Sequence, residues 1–246
     1  MKFAAFRFIL FDLGSTLLYF DGKWPEVMAD SFTVLAEQVA ICGYEIDRKE
    51  FAADFSQRLH EYYAQRETEF IEHTTEYILR SLLYDYGYPD ALDANLRPAL
   101  NAMYAVTQRN WKLEKDAIPV LRQLLRRGCR MAIVSNAGDA QDVDTLVKQH
   151  GLAEFFEFVL ISARVGIRKP DPRIFQMALD RLEALPEQTL MVGDTLGADI
   201  LGARHAGIKS AWITRRADRP DNRDHEDTIQ ADYTIATLGE LLNIVK

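Results

Sequence analysis

The sequence has little that would tie it to an oxidising compartment, a membrane or a polyanion. It carries two cysteines among 246 residues, Cys42 and Cys129. So separated a pair, each in an apolar context, offers neither a metal-ligand spacing nor a disulfide framework, and both read as small core residues in a reducing compartment. Basic residues are outnumbered. Lys and Arg total 29 against 37 Asp and Glu, a formal net charge of −8, the wrong sign for a general nucleic-acid binder. Long apolar runs are missing. Met1 to Leu10 is apolar but short and broken by Arg7, no small-residue cleavage site follows it, and no stretch approaches the ~18 residues of a membrane span. Internal repeats, low-complexity tracts and Ser/Gly-rich linkers are also absent. The expectation is a cytoplasmic chain with no nucleic-acid and no membrane partner, as a monomer or homodimer.

What is present suits a globular fold. Apolar residues make up 48% and charged residues 27%, enough for a full-sized core and against disorder. The length allows one large domain, or a core with a second, smaller unit. Arg215, Arg216, Arg219 and Arg223 form one basic cluster, but Asp218, Asp221, Asp224, Glu226 and Asp227 interleave with them. The stretch reads as a solvated loop.

Short runs rich in Ile, Leu, Val and Phe recur along the chain, at Phe6–Leu10, Arg130–Val134, Phe158–Ile161, Thr189–Val192, Ala211–Ile213 and Tyr233–Ile235. Runs of this length fit strands buried on both faces. Between them lie helical stretches at Ala117–Arg127, Val143–His150, Pro172–Leu182, Ala198–Ala206 and Leu238–Val245. Asp171 caps the third of these and Pro172 opens it. Alternating strands and helices predict a doubly wound, Rossmann-like parallel sheet. Sites in such sheets form at the carboxyl ends of the strands, where Asp12, Ser135 and Asp194 stand. Residues 18–113 differ. They hold no convincing buried strand and read as four amphipathic helices, about Pro25–Ile41, Lys49–Gln65, Glu69–Tyr86 and Ala91–Asn110, with Pro98 kinking or splitting the last. Gly43, Gly87 and Pro89 punctuate them. The expected organisation is an α/β core of residues 1–17 and 114–246 with an inserted helical cap domain of residues 18–113.

Four segments carry chemistry: FDLGST at Phe11–Thr16, SNAG at Ser135–Gly138, RKPDP at Arg168–Pro172 and GDTLGAD at Gly193–Asp199. Each alone has a bland reading as turn or helix-cap chemistry. Their joint order on this fold is what points to a site. Asp12, Asp194 and Asp199 converging in one cleft would repel, and at least one pKa would rise without compensation. A divalent cation and Lys169 would supply it.

These four segments resemble the sequence motifs of the haloacid dehalogenase-like hydrolases, and the closing ADYTIATLGELL is similar to that family's last strand and helix. The helical block resembles the cap of its C1-capped, phosphatase-like members. The resemblance implies a Mg²⁺-dependent hydrolase of small phosphorylated metabolites. Asp12 would be the nucleophile, forming an aspartyl-phosphate, with Ser135, the Asn136 backbone N–H and Lys169 on the phosphoryl group. Asp12, the Gly14 carbonyl, Asp194 and Asp199 would hold the metal.

One position departs from the pattern. Gly14 stands where most phosphatases of the family carry a second Asp, the general acid. Three readings follow: a substrate with a good leaving group such as an acyl phosphate, another proton donor such as Asp21, or a domain that only binds or scaffolds. Haloacid dehalogenases lack that Asp too, but Asp194 and Asp199 argue against dehalogenation. A phosphonate hydrolase would need a cap lysine, for which Lys23 and Lys49 are the candidates. Trp24, Tyr62, Tyr63, Arg66, His73 and Trp111 could line the cleft from the cap; for each alone, packing or solvation is the blander expectation. His60, His150, His205 and His225 read as structural.

Overall fold

The computed structural model describes residues 6–91 and 93–245. Residues 1–5 of the apolar start, Leu92 and the final Lys246 lie outside the described residues. The chain runs β1 (Phe8–Phe11), β2 (Leu18–Phe20), α1 (Trp24–Ile41), α2 (Arg48–Glu69), α3 (Thr75–Asp85), α4 (Asp93–Gln108) and β3 (Trp111–Leu113). It continues through α5 (Ala117–Arg126), β4 (Arg130–Ser135), α6 (Ala140–Gln149), β5 (Val159–Ile161), α7 (Ser162–Val165), α8 (Pro172–Leu182) and β6 (Thr189–Gly193). A π-helical turn, Leu196–Ile200, leads into α9 (Leu201–His205), then β7 (Lys209–Ile213), α10 (Pro220–Arg223), β8 (Tyr233–Ile235) and, after a 3-10 turn, α11 (Leu241–Ile244). None of the described helices is long and apolar enough to cross a membrane.

Six strands form one parallel sheet in the order β5-β4-β1-β6-β7-β8. Alternate residues feed two separate cores, which is why these strands read as continuous apolar runs. Ile9, Phe11, Met131, Ile133, Leu190 and Val192 face α5, α6 and α11. Phe8, Leu10, Ala132, Val134 and Met191 face α8 and α9. The fold is the expected Rossmann-like α/β sheet with helices on both faces.

Helices α1–α4 share a third hydrophobic cluster, including Phe32, Leu35, Phe51, Phe55, Leu79 and Leu100. Asp47 caps α2 by accepting from the Lys49 and Glu50 N–H groups at 3.0 and 2.9 Å. Three sequence expectations change here. The helix expected from Glu69 starts at Thr75, where the Thr74 hydroxyl accepts from Tyr77 N–H at 3.1 Å. Phe70 instead ends α2 in the left-handed region, and Ile71 pairs with Ile167. Pro98 lies inside α4 without splitting it. The block is also not wholly helical: β2 and β3 pair antiparallel at its base, Leu18 opposite Leu113 and Phe20 opposite Trp111. Three residues per strand are too few to leave a period in the sequence.

Candidate active site

Asp12, Ser135 and Asp194 leave the carboxyl ends of three adjacent strands. Phe11 pairs with Ile133 of β4 and Val192 of β6, so the residues that follow emerge side by side. The Asp12 N–H donates to the Val192 carbonyl at 2.9 Å. Lys169 arrives from the loop before α8, 2% exposed, with its ammonium 2.7 Å from Asp12 Oδ1 and 2.7 Å from Asp199 Oδ1. Asn136 fixes that loop. Its side chain donates to the Lys169 carbonyl at 2.9 Å and accepts from the Lys169 N–H at 2.8 Å. Asp171 caps α8 through the Arg173 N–H at 2.9 Å, so the capped helix start and the placed lysine belong to one device.

Asp199 projects from the π-helical turn and accepts from the Thr195 N–H at 3.0 Å. A β-carbon at residue 193 would stand 2.3 Å from its carboxylate, so only glycine lets that carboxylate pack behind the strand end. Asp194 accepts from the Thr16 hydroxyl at 3.4 Å and from the Arg219 guanidinium. Arg219 also donates to the Thr195 hydroxyl at 2.7 Å. The Asp194 carbonyl accepts from the Trp212 indole at 2.9 Å and the Asn222 amide at 2.8 Å. Asn222, fully buried, in turn accepts from the Leu196 N–H at 2.8 Å.

Three carboxylates and two cations thus meet, with Lys169, Asp194 and Asp199 buried and Asp12 and Arg219 partly exposed to the cleft, and the carboxylates are left short of compensating positive charge. Burial pushes the Asp12 carboxyl up to about 6, against the pull of Lys169. Burial, and then the charge of Asp12, holds Asp194 well above the usual carboxylate range. Burial works against the Lys169 ammonium too, but Asp12 and Asp199 outweigh it and raise its pKa. One oxygen each from Asp12, Asp194 and Asp199 lie within 4.8 Å of one another, the only such group able to hold a metal ion among the described residues. An all-oxygen, buried, under-compensated donor set fits a hard divalent cation.

Over residues 6–207 the chain matches the haloacid dehalogenase-like hydrolases. It belongs to that family. A phosphoserine phosphatase of Thermus thermophilus is 38% identical over 135 residues, which are 55% of this chain and 54% of that protein. This chain therefore spans about half the length of that relative. A ribulose-1,5-bisphosphate 5-phosphatase of Halopiger xanaduensis is 29% identical over 243 residues, 96% of this chain and 98% of that one. The crystal structure of a HAD phosphatase from Thermococcus onnurineus aligns with a TM-score of 0.64 at 25% identity, covering 97% of each chain.

In this haloacid dehalogenase-like hydrolase a cleft of about 600 Å³ joins the carboxylates to the helical block. Of the residues the sequence offers as its lining, Trp24, Tyr63, Arg66 and Trp111 are there, and Tyr62 and His73 are not. Tyr62 is buried and donates to Glu72 Oε1 at 2.8 Å; burial and then Glu72 raise its pKa, which keeps it a donor. His73 stacks on Tyr77. Asp21 is exposed and outside the cleft, so it does not stand in for a proton donor there. Lys23 and Lys49 are exposed and outside it as well, which leaves no cap lysine for phosphonate chemistry among the described lining residues.

Four features differ from or go beyond the sequence reading, the first of them the basic loop. The loop read as solvated is anchored: Arg215 pairs with Glu114 at 2.7 Å and Asp116, Arg216 with Glu114 at 2.5 Å, and Arg219 with Asp194. Of the four arginines only Arg223, on Asp218 at 2.7 Å, stays local and exposed. The second is Asn222, which the sequence left unmarked. The third is Glu72, a fully buried carboxylate that reaches from the helical block into the core. It accepts from Ser162 Oγ at 2.8 Å, and that hydroxyl accepts from the Ala137 N–H at 2.9 Å, in the loop after Ser135. The fourth is Asp142, which lines the cleft and which burial pushes up to about 7. Cys129 is buried as expected, whereas Cys42 at the end of α1 is half-buried, its thiol 3.4 Å from the Asn95 carbonyl.

Proposed function

We propose that this chain is a Mg²⁺-dependent phosphatase that hydrolyses a small phosphorylated metabolite through an aspartyl-phosphate on Asp12. The observation that carries the reading is the buried Lys169 ammonium 2.7 Å from both Asp12 and Asp199, beside three carboxylate oxygens close enough to share one cation. The phosphatases named above, one similar over 55% of the chain and two over 96% and 97%, support the same reading.

Residues 1–17 and 114–246 form the catalytic core in this reading, and residues 18–113 a C1-type cap. Asp12 Oδ attacks phosphorus, the P–O bond to the leaving group breaks, and an acyl phosphate remains on Asp12. Water then attacks that phosphorus, releasing inorganic phosphate and the free carboxylate. The Ser135 hydroxyl and the Asn136 N–H donate to the phosphoryl oxygens, while Lys169 neutralises charge beside the nucleophile. Splitting the reaction through a covalent intermediate lowers each barrier, and the remaining demand is positioning and charge stabilisation. Asp12, the Gly14 carbonyl, Asp194 and Asp199 would hold Mg²⁺. When bound, the ion offsets the excess negative charge between the carboxylates and the substrate dianion. Opening and closing of the cap admits substrate and excludes water; a crosslink between cap and core that leaves turnover unchanged would count against that motion.

The test is phosphate release from acetyl phosphate, p-nitrophenyl phosphate and sugar phosphates, with and without Mg²⁺. Release that needs Mg²⁺ and disappears in Asp12→Asn supports the proposal. Release that survives in Asp12→Asn removes it.

A further inference from the structure

Resting on the phosphatase reading, we infer that the substrate's leaving group carries an aromatic or comparably apolar ring, selected by Trp111 and Trp24. Trp111 stands beside the nucleophile's loop. A β-carbon at Gly14 would lie 3.4 Å from its Cη2, so the indole, and no polar side chain from residue 14, forms the cleft wall there. The β2–β3 pairing sets Trp111 opposite Phe20. Phe20, Trp24 and Trp111 meet edge to face, with ring centroids 4.7 Å apart for Phe20–Trp24, 5.5 Å for Phe20–Trp111 and 6.3 Å for Trp24–Trp111.

The apolar surface continues away from the nucleophile. Trp24, Met28, Leu59 and Tyr63 line the cleft and also a second cavity of about 570 Å³ between α1 and α2. Trp24 is 46% exposed and Tyr63 37% exposed; the Arg66 guanidinium lies 3.8 Å over the Tyr63 ring, so the uncovered ring area on this wall is chiefly the Trp24 indole. A polyol laid on the indoles would lose water from hydroxyls that gain no partner there. A ring would bury area and meet the indoles edge to face or offset. Ser135 and Lys169, the anion-binding groups beside Asp12, line the same cleft as the two indoles, so a phosphate monoester of a ring-bearing alcohol can meet both.

Non-hydrolysable phosphonates test this by calorimetry with Mg²⁺ present. 3-Phenylpropylphosphonate should bind at least about tenfold more tightly than 3-hydroxypropylphosphonate, the scale of one apolar contact in a fitted pocket. Trp24→Ala, at a surface position that folding should tolerate, and Trp111→Leu should each cut that ratio several-fold. In turnover, 2-phenylethyl phosphate should exceed glycerol 3-phosphate in kcat/KM by a similar factor; both release alcohols, so the comparison reads recognition. Equal affinities, or a ratio unchanged in both variants, would overturn the inference while acetyl phosphate hydrolysis left the phosphatase reading standing. No release from any compound, acetyl phosphate included, would remove the phosphatase reading and this inference with it.

Discussion

The indole of Trp111 packs against Gly14, with Cη2 3.4 Å from where a β-carbon at residue 14 would stand. The contact is ordinary van der Waals distance, so a β-carbon there does not displace the ring. Gly14→Asp should therefore fold, and it should place a carboxyl group beside the leaving group. General acid catalysis is worth about 10²–10⁴ in rate. The variant should raise turnover of an alkyl phosphate relative to acetyl phosphate, by up to about 100-fold. An unchanged ratio of the two rates would show that protonation of the leaving group does not limit the wild-type protein.

The Lys169 ammonium sits between Asp12 and Asp199. Lys169→Met leaves both carboxylates buried without it, and breaking a buried pair costs about 3–5 kcal/mol. Urea unfolding without metal should show that loss. Turnover should fall by about 10²–10³, the scale of removing one charge-stabilising donor. Stability within 1 kcal/mol of wild type, as an order-of-magnitude bound on that pair's worth, would contradict the electrostatic account of the site.

Asp142 sets a pH dependence of stability. Burial raises its folded-state pKa to about 7, above the ordinary carboxylate value near 3.9. A raised pKa means the contribution is fully present below about pH 4 and is lost as pH climbs to about 7. Wild type should lose roughly 2–4 kcal/mol relative to Asp142→Asn across that window, and the two should run parallel above it. Parallel stability curves between pH 4 and 7 would show that the carboxyl stays solvated.

Glu72 joins the helical block to the loop after Ser135 through Ser162. Its pair with Arg168, 3.8 Å away, is also buried. Glu72→Ala should destabilise the fold by about 3–5 kcal/mol and lower kcat as the Ala137 peptide loses its fixed partner. Glu72→Gln, which can still accept from Ser162, should recover part of kcat. Equal kcat in the two variants would separate Glu72 from the loop.

The sheet was legible because parallel strands buried on both faces leave continuous apolar runs, and all six runs became strands. Asp12, Ser135 and Asp194 were legible because each follows such a run directly. Lys169 and Asp199 came from motif order, since no local pattern places a lysine from one loop between carboxylates from two others. Arg219 and Asn222 were not legible. Their stretch alternates acids and bases, which locally describes a solvated loop, and their partners Asp194 and Leu196 lie more than 20 residues earlier. Glu72 was hidden because it lies within a stretch read as helix, where a carboxylate ordinarily faces water. The β2–β3 ribbon, which carries Trp111 to Gly14, is too short to have a period.

The central claim is the covalent step on Asp12. It is tested most directly by incubating the protein with acetyl phosphate and Mg²⁺, quenching in acid and mapping its peptides by mass spectrometry. One phosphoryl group on the peptide containing Asp12, absent without Mg²⁺ and absent in Asp12→Asn, is the predicted result. Turnover of acetyl phosphate with the Asp12 peptide unmodified and the phosphoryl group on another residue would contradict it.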